Sequence, residues 1–360
     1  MSHINNKLFL KKSKINHHIT TNIFALFLSA MIFAMILFLL INPAKYALSV
    51  TSGFMLFANA VFPGLFPFLI LTRILTELGA VEKVSRIFAK PMEKLFDCPS
   101  IAAYVFISSA LCGYPMGAKL TADLVENKII NEIDAKKMMT FCSLSGPVFT
   151  IATVGAAMFA NIKAGLCIYI SHIISALLCG LIFSLANKLK HNKQTKQTPV
   201  IVKNGPEQSP VTMQHKALDE IISSSVYNAV STILIVGAFV TIFFLLIDII
   251  FASKIISPII FATKKLFSLI NLNPNLAEGF ISGLIEMTRG IKMISTFGAS
   301  IESLVLTTAL ISFGGLSISM QVLSLAKKAK IKPAAYIGCK LVHLIISLPI
   351  TLIVAFLMQF

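Results

Sequence analysis

The sequence predicts an all-α polytopic membrane protein, built as an inverted repeat with two re-entrant hairpins and two discontinuous helices. Three observations carry that expectation. The chain of 360 residues is 56% hydrophobic and only 13% charged, with a mean hydropathy of +0.84, whereas soluble domains hold roughly 25% charged residues. Uncharged runs long enough to cross a bilayer recur along the chain, at 23–41, 46–72, 99–118, 138–162, 164–187, 221–247, 303–326 and 341–360. Several of them are broken by glycine or proline, and the breaks recur in the same order in both halves.

A spanning helix needs about 20 apolar residues, because in lipid each backbone amide must be satisfied inside the segment. The first run has an apolar core of 19 residues with no Ala-x-Ala site after it. Export signals have apolar cores of roughly 7 to 15 residues, so residues 1–44 read as a cytoplasmic tail and a retained anchor helix. Residues 190–216 are polar, rich in Lys and Gln, and carry Pro199, Pro206 and Pro210. They read as a disordered cytoplasmic linker between a first membrane repeat, 45–189, and a second, 217–360.

The net charge of +16 is concentrated beside the hydrophobic runs: Lys7, Lys11, Lys12 and Lys14 in the tail, the linker lysines, and Lys327, Lys328, Lys330 and Lys332. That is the pattern of cytoplasmic loops facing anionic lipid, not of a nucleic-acid surface. With tail and linker both inside, the run 46–72 comes in, 138–162 goes out and 164–187 returns. The stretch 99–124 is then a hairpin that enters and leaves on one side. Residues 72–97, with five basic and four acidic residues at helical spacing, suit an amphipathic helix at the cytoplasmic interface.

The second half follows the same plan: 221–247 crosses, 253–270 is short and amphipathic, 273–295 is an interrupted hairpin, and 303–326 and 333–360 cross. Gly-Tyr-Pro-Met-Gly at 113–117 answers to Glu-Met-Thr-Arg-Gly at 286–290. Ser145-Gly146-Pro147 answers to Phe313-Gly314-Gly315, and His172 to His343 in the closing helices. Gly146 to His172 spans 26 positions and Gly314 to His343 spans 29. An odd number of crossings per repeat inverts one repeat relative to the other, a plan common among secondary transporters. Lys254, Lys264 and Lys265 fall outside under this topology, against the charge rule.

A helix cut open in hydrocarbon leaves free amides at one new end and free carbonyls at the other. The amides, at the positive end of the helix dipole, favour an anion. Helices are expected to restart at Met116, at Val148 and near Leu316, and their starts carry Ser143, Ser145, Thr150, Ser317, Ser319 and Gln321 as added donors or acceptors. Together with Gly113, Tyr114, Pro115, Gly117, Gly146, Gly314, Glu286 and Thr288 they make up a candidate substrate site. Lys119 and Arg289 lie near the two hairpin tips, and of 31 basic residues only Arg73, Arg86 and Arg289 are arginine. A membrane-embedded cation costs roughly 2.5 to 3.5 kcal/mol, so function is the default reading. The structural alternative is pairing on the same helix face, Arg289 with Glu286 and Lys119 with Asp123. His172 and His343 are candidates for proton coupling, with packing or interhelical hydrogen bonding as the alternative. The cysteines, Cys98, Cys112, Cys142, Cys167, Cys179 and Cys339, form no Cys-x-x-Cys pair and read as small packing residues. No enzyme, metal or cofactor motif is present: there is no His-Glu-x-x-His, Walker loop or Gly-x-Ser-x-Gly.

The stretch from Cys112 to Phe159, with Gly-Tyr-Pro-x-Gly-Ala-Lys and Phe-Cys-x-x-Ser-Gly-Pro, resembles the sporulation integral membrane proteins of the YlbJ type. These belong to the gate, or nucleoside-recognition, family. The likeness extends in layout over about residues 20 to 358, and Glu-x-Thr-x-Gly at 286–290 agrees with it. The resemblance implies an architecture similar to concentrative nucleoside transporters. It also implies movement of dipicolinic acid from mother cell toward spore, across a forespore membrane of a bacterium. On that reading Lys119 and Arg289 each face one carboxylate of the dianion. Coupling to H⁺ or Na⁺ and assembly as a homo-oligomer stay open, as do nucleoside or other polar-solute transport and a non-transporting scaffold role.

Overall fold

The computed structural model describes residues 26, 29–30, 32–191 and 217–360, and the described residues contain helices and no strand. Most of the expected tail and the linker lie outside the described residues, as does part of the run 23–41. Its described part ends in the apolar helix α1, Ile32–Ile41.

Among the described residues, five helical stretches are long and apolar enough to cross a membrane: Pro43–Glu77, Ile162–Leu189, Leu218–Ala252, Ile301–Leu325 and Pro333–Leu357. The first is α2, which passes through a π-helical turn at Phe57–Val61. It runs antiparallel to α9, Leu218–Ala252: Tyr46 packs on Leu245 and Ile249, while Gly53 abuts Phe244 and Gly237 abuts Phe57. A methyl group on Gly53 would stand 2.9 Å from Phe244 Cβ, and one on Gly237 2.7 Å from the Phe57 ring. These two glycines therefore make room for the phenylalanines of the facing helix, small residues being the usual means by which apolar helices pack closely.

After α2 the chain turns at Gly79, whose φ of +74° suits glycine, into the amphipathic helix α3, Ala80–Phe96. A first hairpin follows, α4 (Ala102–Cys112) and α5 (Met116–Glu126). The run 138–162, expected as one crossing broken at Ser145–Pro147, is more open than that. The short α6, Glu132–Met138, gives way to a largely non-helical segment, and only Val148–Met158, a π-helical α7, is a regular apolar helix. The cause is local: Gly146 and Pro147 disfavour helix, and the tip of the first hairpin occupies the space beside them. The half closes with α8, Ile162–His191.

The second half repeats the order: α9, then α10 (Ser257–Leu269), the hairpin α11 (Leu276–Ile285) and α12 (Met287–Ser295), the broken pair α13 (Ile301–Phe313) and α14 (Gly315–Leu325), and α15 (Pro333–Leu357). The broken pair is the centre of the molecule, with 83% of its most apolar window buried against 17% for α2. Polar contacts define two ends of the bundle. At one, Lys137 pairs with Asp97 at 2.6 Å, Lys330 with Glu132 at 2.8 Å, and Lys188 Nζ donates to the Lys94 carbonyl at 3.4 Å. At the other, Lys163 donates to the Gln359 carbonyl and the Asn273 N–H to the Glu302 carboxylate. All six cysteines are buried and unpaired, and burial pushes the Cys98 thiol up to about 12, in keeping with a packing role.

Candidate functional site

Each hairpin turns where its sequence forbids a continuous helix. In the first, Gly113 adopts φ +77° and the Tyr114–Pro115 peptide is cis. The restarting helix α5 begins at Met116, and no side chain caps its N-terminus. In the second, Glu286 leaves the helix with φ −132° and ψ 110° and turns its carboxylate back onto the chain. That carboxylate accepts from the Thr288 N–H at 3.1 Å and the Arg289 N–H at 2.7 Å. The positive end of α12 is thus already occupied by an anion of the protein itself, and the positive end of α5 is not.

A cavity of about 160 Å³ lies at the first tip. Its wall is made by Gly113 to Met116 and Lys119 of the hairpin, Leu69 and Arg73 of α2, one face of α9 from Asn228 and Thr232 to Val236, and Gln321, Ser324 and Leu325 of α14. Among the described residues the wall carries two basic side chains and no acidic one. Arg73 also pairs with Glu77, one turn on, at 2.9 Å. Gln321 is 2% exposed, yet neither its amide oxygen nor its nitrogen has a protein partner. A buried primary amide without partners costs about 1–3 kcal/mol per orphaned group unless something in the cavity completes it.

Behind the cavity lies a second polar cluster. Lys340, 1% exposed on α15, directs its ammonium at the Tyr114 hydroxyl (2.8 Å), the Ser143 carbonyl (3.0 Å) and His343 Nδ1 (3.3 Å). Tyr114 in turn donates to the Ile311 carbonyl at 3.2 Å, just before the break in the second half. His343 and His172 stack with ring centroids 5.0 Å apart. His172 Nε2 accepts from the Ser145 N–H at 3.0 Å, which leaves its proton on Nδ1 to donate to Ser312 Oγ at 3.0 Å. The two histidines are therefore buried and hydrogen-bonded, and they tie the two halves of the fold together.

The structure gathers Gly113, Tyr114, Pro115, Lys119 and Gln321 on the cavity wall. Gly117 faces the chain instead: a methyl there would stand 1.8 Å from the Cys142 carbonyl oxygen. Gly146 lies against Gly113, Ser143 hydrogen-bonds Tyr336 at 2.9 Å, and Ser145 gives its amide to His172. Thr150 and Ser319 return their hydroxyls to their own helices, at the Gly146 and Gly315 carbonyls. Ser317 is buried with no partner, and Gly314 supplies the φ +84° break before α14. Glu286, Thr288 and Arg289 lie elsewhere. The Arg289 guanidinium reaches Asp248 at 2.5 Å and the Phe244 carbonyl at 3.1 Å, and stacks on the Phe244 ring. Phe244 lies eight positions beyond Val236 of the cavity wall, about 12 Å along α9. Lys119 and Arg289 therefore do not meet around one cavity in this conformation.

Residues 58–163 match the family model described as Gate, nucleoside recognition. Over 326 residues the chain is 26% identical to the sporulation integral membrane protein YlbJ of Bacillus subtilis (strain 168), covering 89% of this chain and 78% of that relative. Among solved structures it is similar to a doubly substituted CNTnw, a concentrative nucleoside transporter, in an outward-facing state. The TM-score is 0.56 at 16% identity, over 83% of this chain and 76% of that one. The fold is therefore that of the concentrative nucleoside transporters.

Proposed function

We propose, for a chain that carries a Gate domain on a nucleoside-transporter fold, that it is a secondary-type, non-enzymatic transporter of a small anionic solute. The reading rests above all on the cavity at the first hairpin tip. There, an uncapped helix N-terminus, Lys119, Arg73 and the partnerless amide of Gln321 border one space with no acidic side chain among its described lining residues. The amides and the cations favour a carboxylate over a neutral ring by charge, and Gln321 can add a donor. A volume of about 160 Å³ is below the roughly 300 to 1,000 Å³ of drug-sized pockets and suits a small solute.

The end of the bundle that holds Lys188, Lys137 and Lys330 is read as cytoplasmic, by the excess of lysine in its loops. The first hairpin then enters the membrane from inside and the second from outside, so that 45–189 and 217–360 act as inverted repeats. The likeness to a sporulation protein makes dipicolinate the first solute to test and a forespore membrane the natural place for it to act. The test is uptake of radiolabelled dipicolinate into proteoliposomes of the purified protein, with uridine alongside. Saturable dipicolinate uptake that falls in Lys119→Met and Arg73→Met supports an anion carrier. Uptake of uridine alone moves the assignment to nucleosides. Uptake of neither, in intact vesicles, favours a scaffold role.

A further inference from the structure

Lys340 itself is not part of the cavity wall, yet its hydrogen bonds join both halves of the fold. Its ammonium is held by the first hairpin tip through Tyr114, by the non-helical segment through Ser143, and by the closing helix α15 through His343. All three are neutral acceptors. The protonation of the group can be read from hydrogen-bond directions. Ser175 Oγ donates to the His172 carbonyl at 2.9 Å, so toward His343 Nε2, at 3.1 Å, it can only accept. In a neutral His343 ring the proton is therefore on Nε2, and Nδ1 is an acceptor. Tyr114 spends its proton on Ile311, and a carbonyl is always an acceptor. Beside a neutral His343, Lys340 then faces three acceptors, a set that an ammonium satisfies in full and a neutral amine, with two hydrogens, does not.

A ring of neutral oxygen and nitrogen acceptors around one unit of positive charge, buried and with no carboxylate among its partners, is a cation-binding nest. We propose that this nest is the cation site of the transport cycle and that Lys340 fills it with a tethered charge, so that solute movement needs no dissociable metal cation. This rests on the transporter reading above. The tethered charge couples that reading to the fold: Tyr114 has one edge on the cavity and its hydroxyl on Lys340, so one side chain touches both the solute space and the nest.

The experiment combines ion replacement with chemical rescue. Uptake by the wild-type protein is expected to be unchanged when Na⁺, K⁺ or choline is the sole monovalent cation. A strict requirement for Na⁺ or K⁺ overturns the proposal. Lys340→Ala leaves three buried acceptors without a donor and is expected to lose at least about tenfold in uptake. Added n-propylammonium, which matches the deleted chain and charge, should restore it. Equal restoration by neutral n-propanol would show that volume and not charge is missing, and full activity in Lys340→Met would show that no charge is needed; either result overturns the proposal. A readout independent of transport is thermal unfolding of the purified proteins. n-Propylammonium should raise the melting temperature of Lys340→Ala and leave the wild type unmoved. Absence of that shift overturns the nest, whereas a shift in a protein that moves no solute would retain the nest and sink the transporter reading alone.

Discussion

The two hairpin tips present the same problem, a helix restarted inside the protein with free amides at its head, and resolve it in opposite ways. At the second, Glu286 folds back onto the Thr288 and Arg289 amides while the Arg289 side chain is spent on Asp248. At the first, the N-terminus of α5 has no side-chain cap, and Lys119 and Arg73 look into a cavity shared with the partnerless Gln321. Repeated architecture therefore does not imply repeated chemistry. One tip is completed by the chain itself and serves as structure, while the other is left for something to complete it.

The largest expected effects test what the tips share. A methyl on Gly117 would stand 1.8 Å from the Cys142 carbonyl oxygen, and one on Gly290 would stand 2.2 Å from Gly283 Cα. Gly117→Ala and Gly290→Ala should each cost about 3 kcal/mol or more, since only backbone could yield, and size-exclusion profiles should lose the monodisperse peak in both. Next in size is the ion pair of the second tip. Arg289→Met should lower stability by about 2 kcal/mol, seen as a drop in melting temperature, with the solute concentration for half-maximal uptake unchanged. A selective rise in that concentration would break the contrast between the tips. Lys119→Met should behave in the reverse manner, with uptake about tenfold weaker, equivalent to about 1.4 kcal/mol of lost charge-assisted hydrogen bonding, and a melting temperature close to wild type.

The smallest effect concerns the exposed pair that links the repeats at the lysine-rich end. The Lys330 ammonium holds the Glu132 carboxyl below its ordinary value, and Glu132 in turn holds Lys330 above its own. A depressed carboxyl contributes stability that is present above its unfolded value, about 4.3, and is lost as pH falls through the folded one. A slight loss of melting temperature is therefore expected below about pH 4, and Glu132→Gln should abolish that part of it.

Much of the fold was legible because breaks are written in glycine and proline. The restarts expected at Met116, Val148 and near Leu316 are observed at Met116, Val148 and Gly315. What sequence could not supply was the partner of a charge. Helical spacing put Glu286 and Arg289 on one face, but Glu286 is the cap and lies outside the helix, so its carboxylate meets backbone while Arg289 crosses to a residue 41 positions away. Arg73 was read with the interfacial helix because charges begin there. In fact α2 continues to Glu77, helped by the Arg73–Glu77 pair and by Thr72 and Thr76 hydroxyls bonded back to their own helix. Lys340 was missed because it stands one residue before an uncharged run. The available signal was its place three residues before His343, on the same helical face, matching Tyr169 three before His172.

The tight glycine contacts also decide what can serve as a moving part. The first hairpin is pressed onto the non-helical segment at Gly117–Cys142 and Gly113–Gly146, and Ser109 Oγ accepts from the Leu144 N–H at 3.3 Å. In the second, Gly283 and Gly290 bring α11 and α12 to backbone contact. The first hairpin is thus locked onto the segment that follows it, and the two arms of the second are locked to each other. Any rearrangement of the fold would carry the first together with residues 142–146 as one carriage, and the second as a solid wedge.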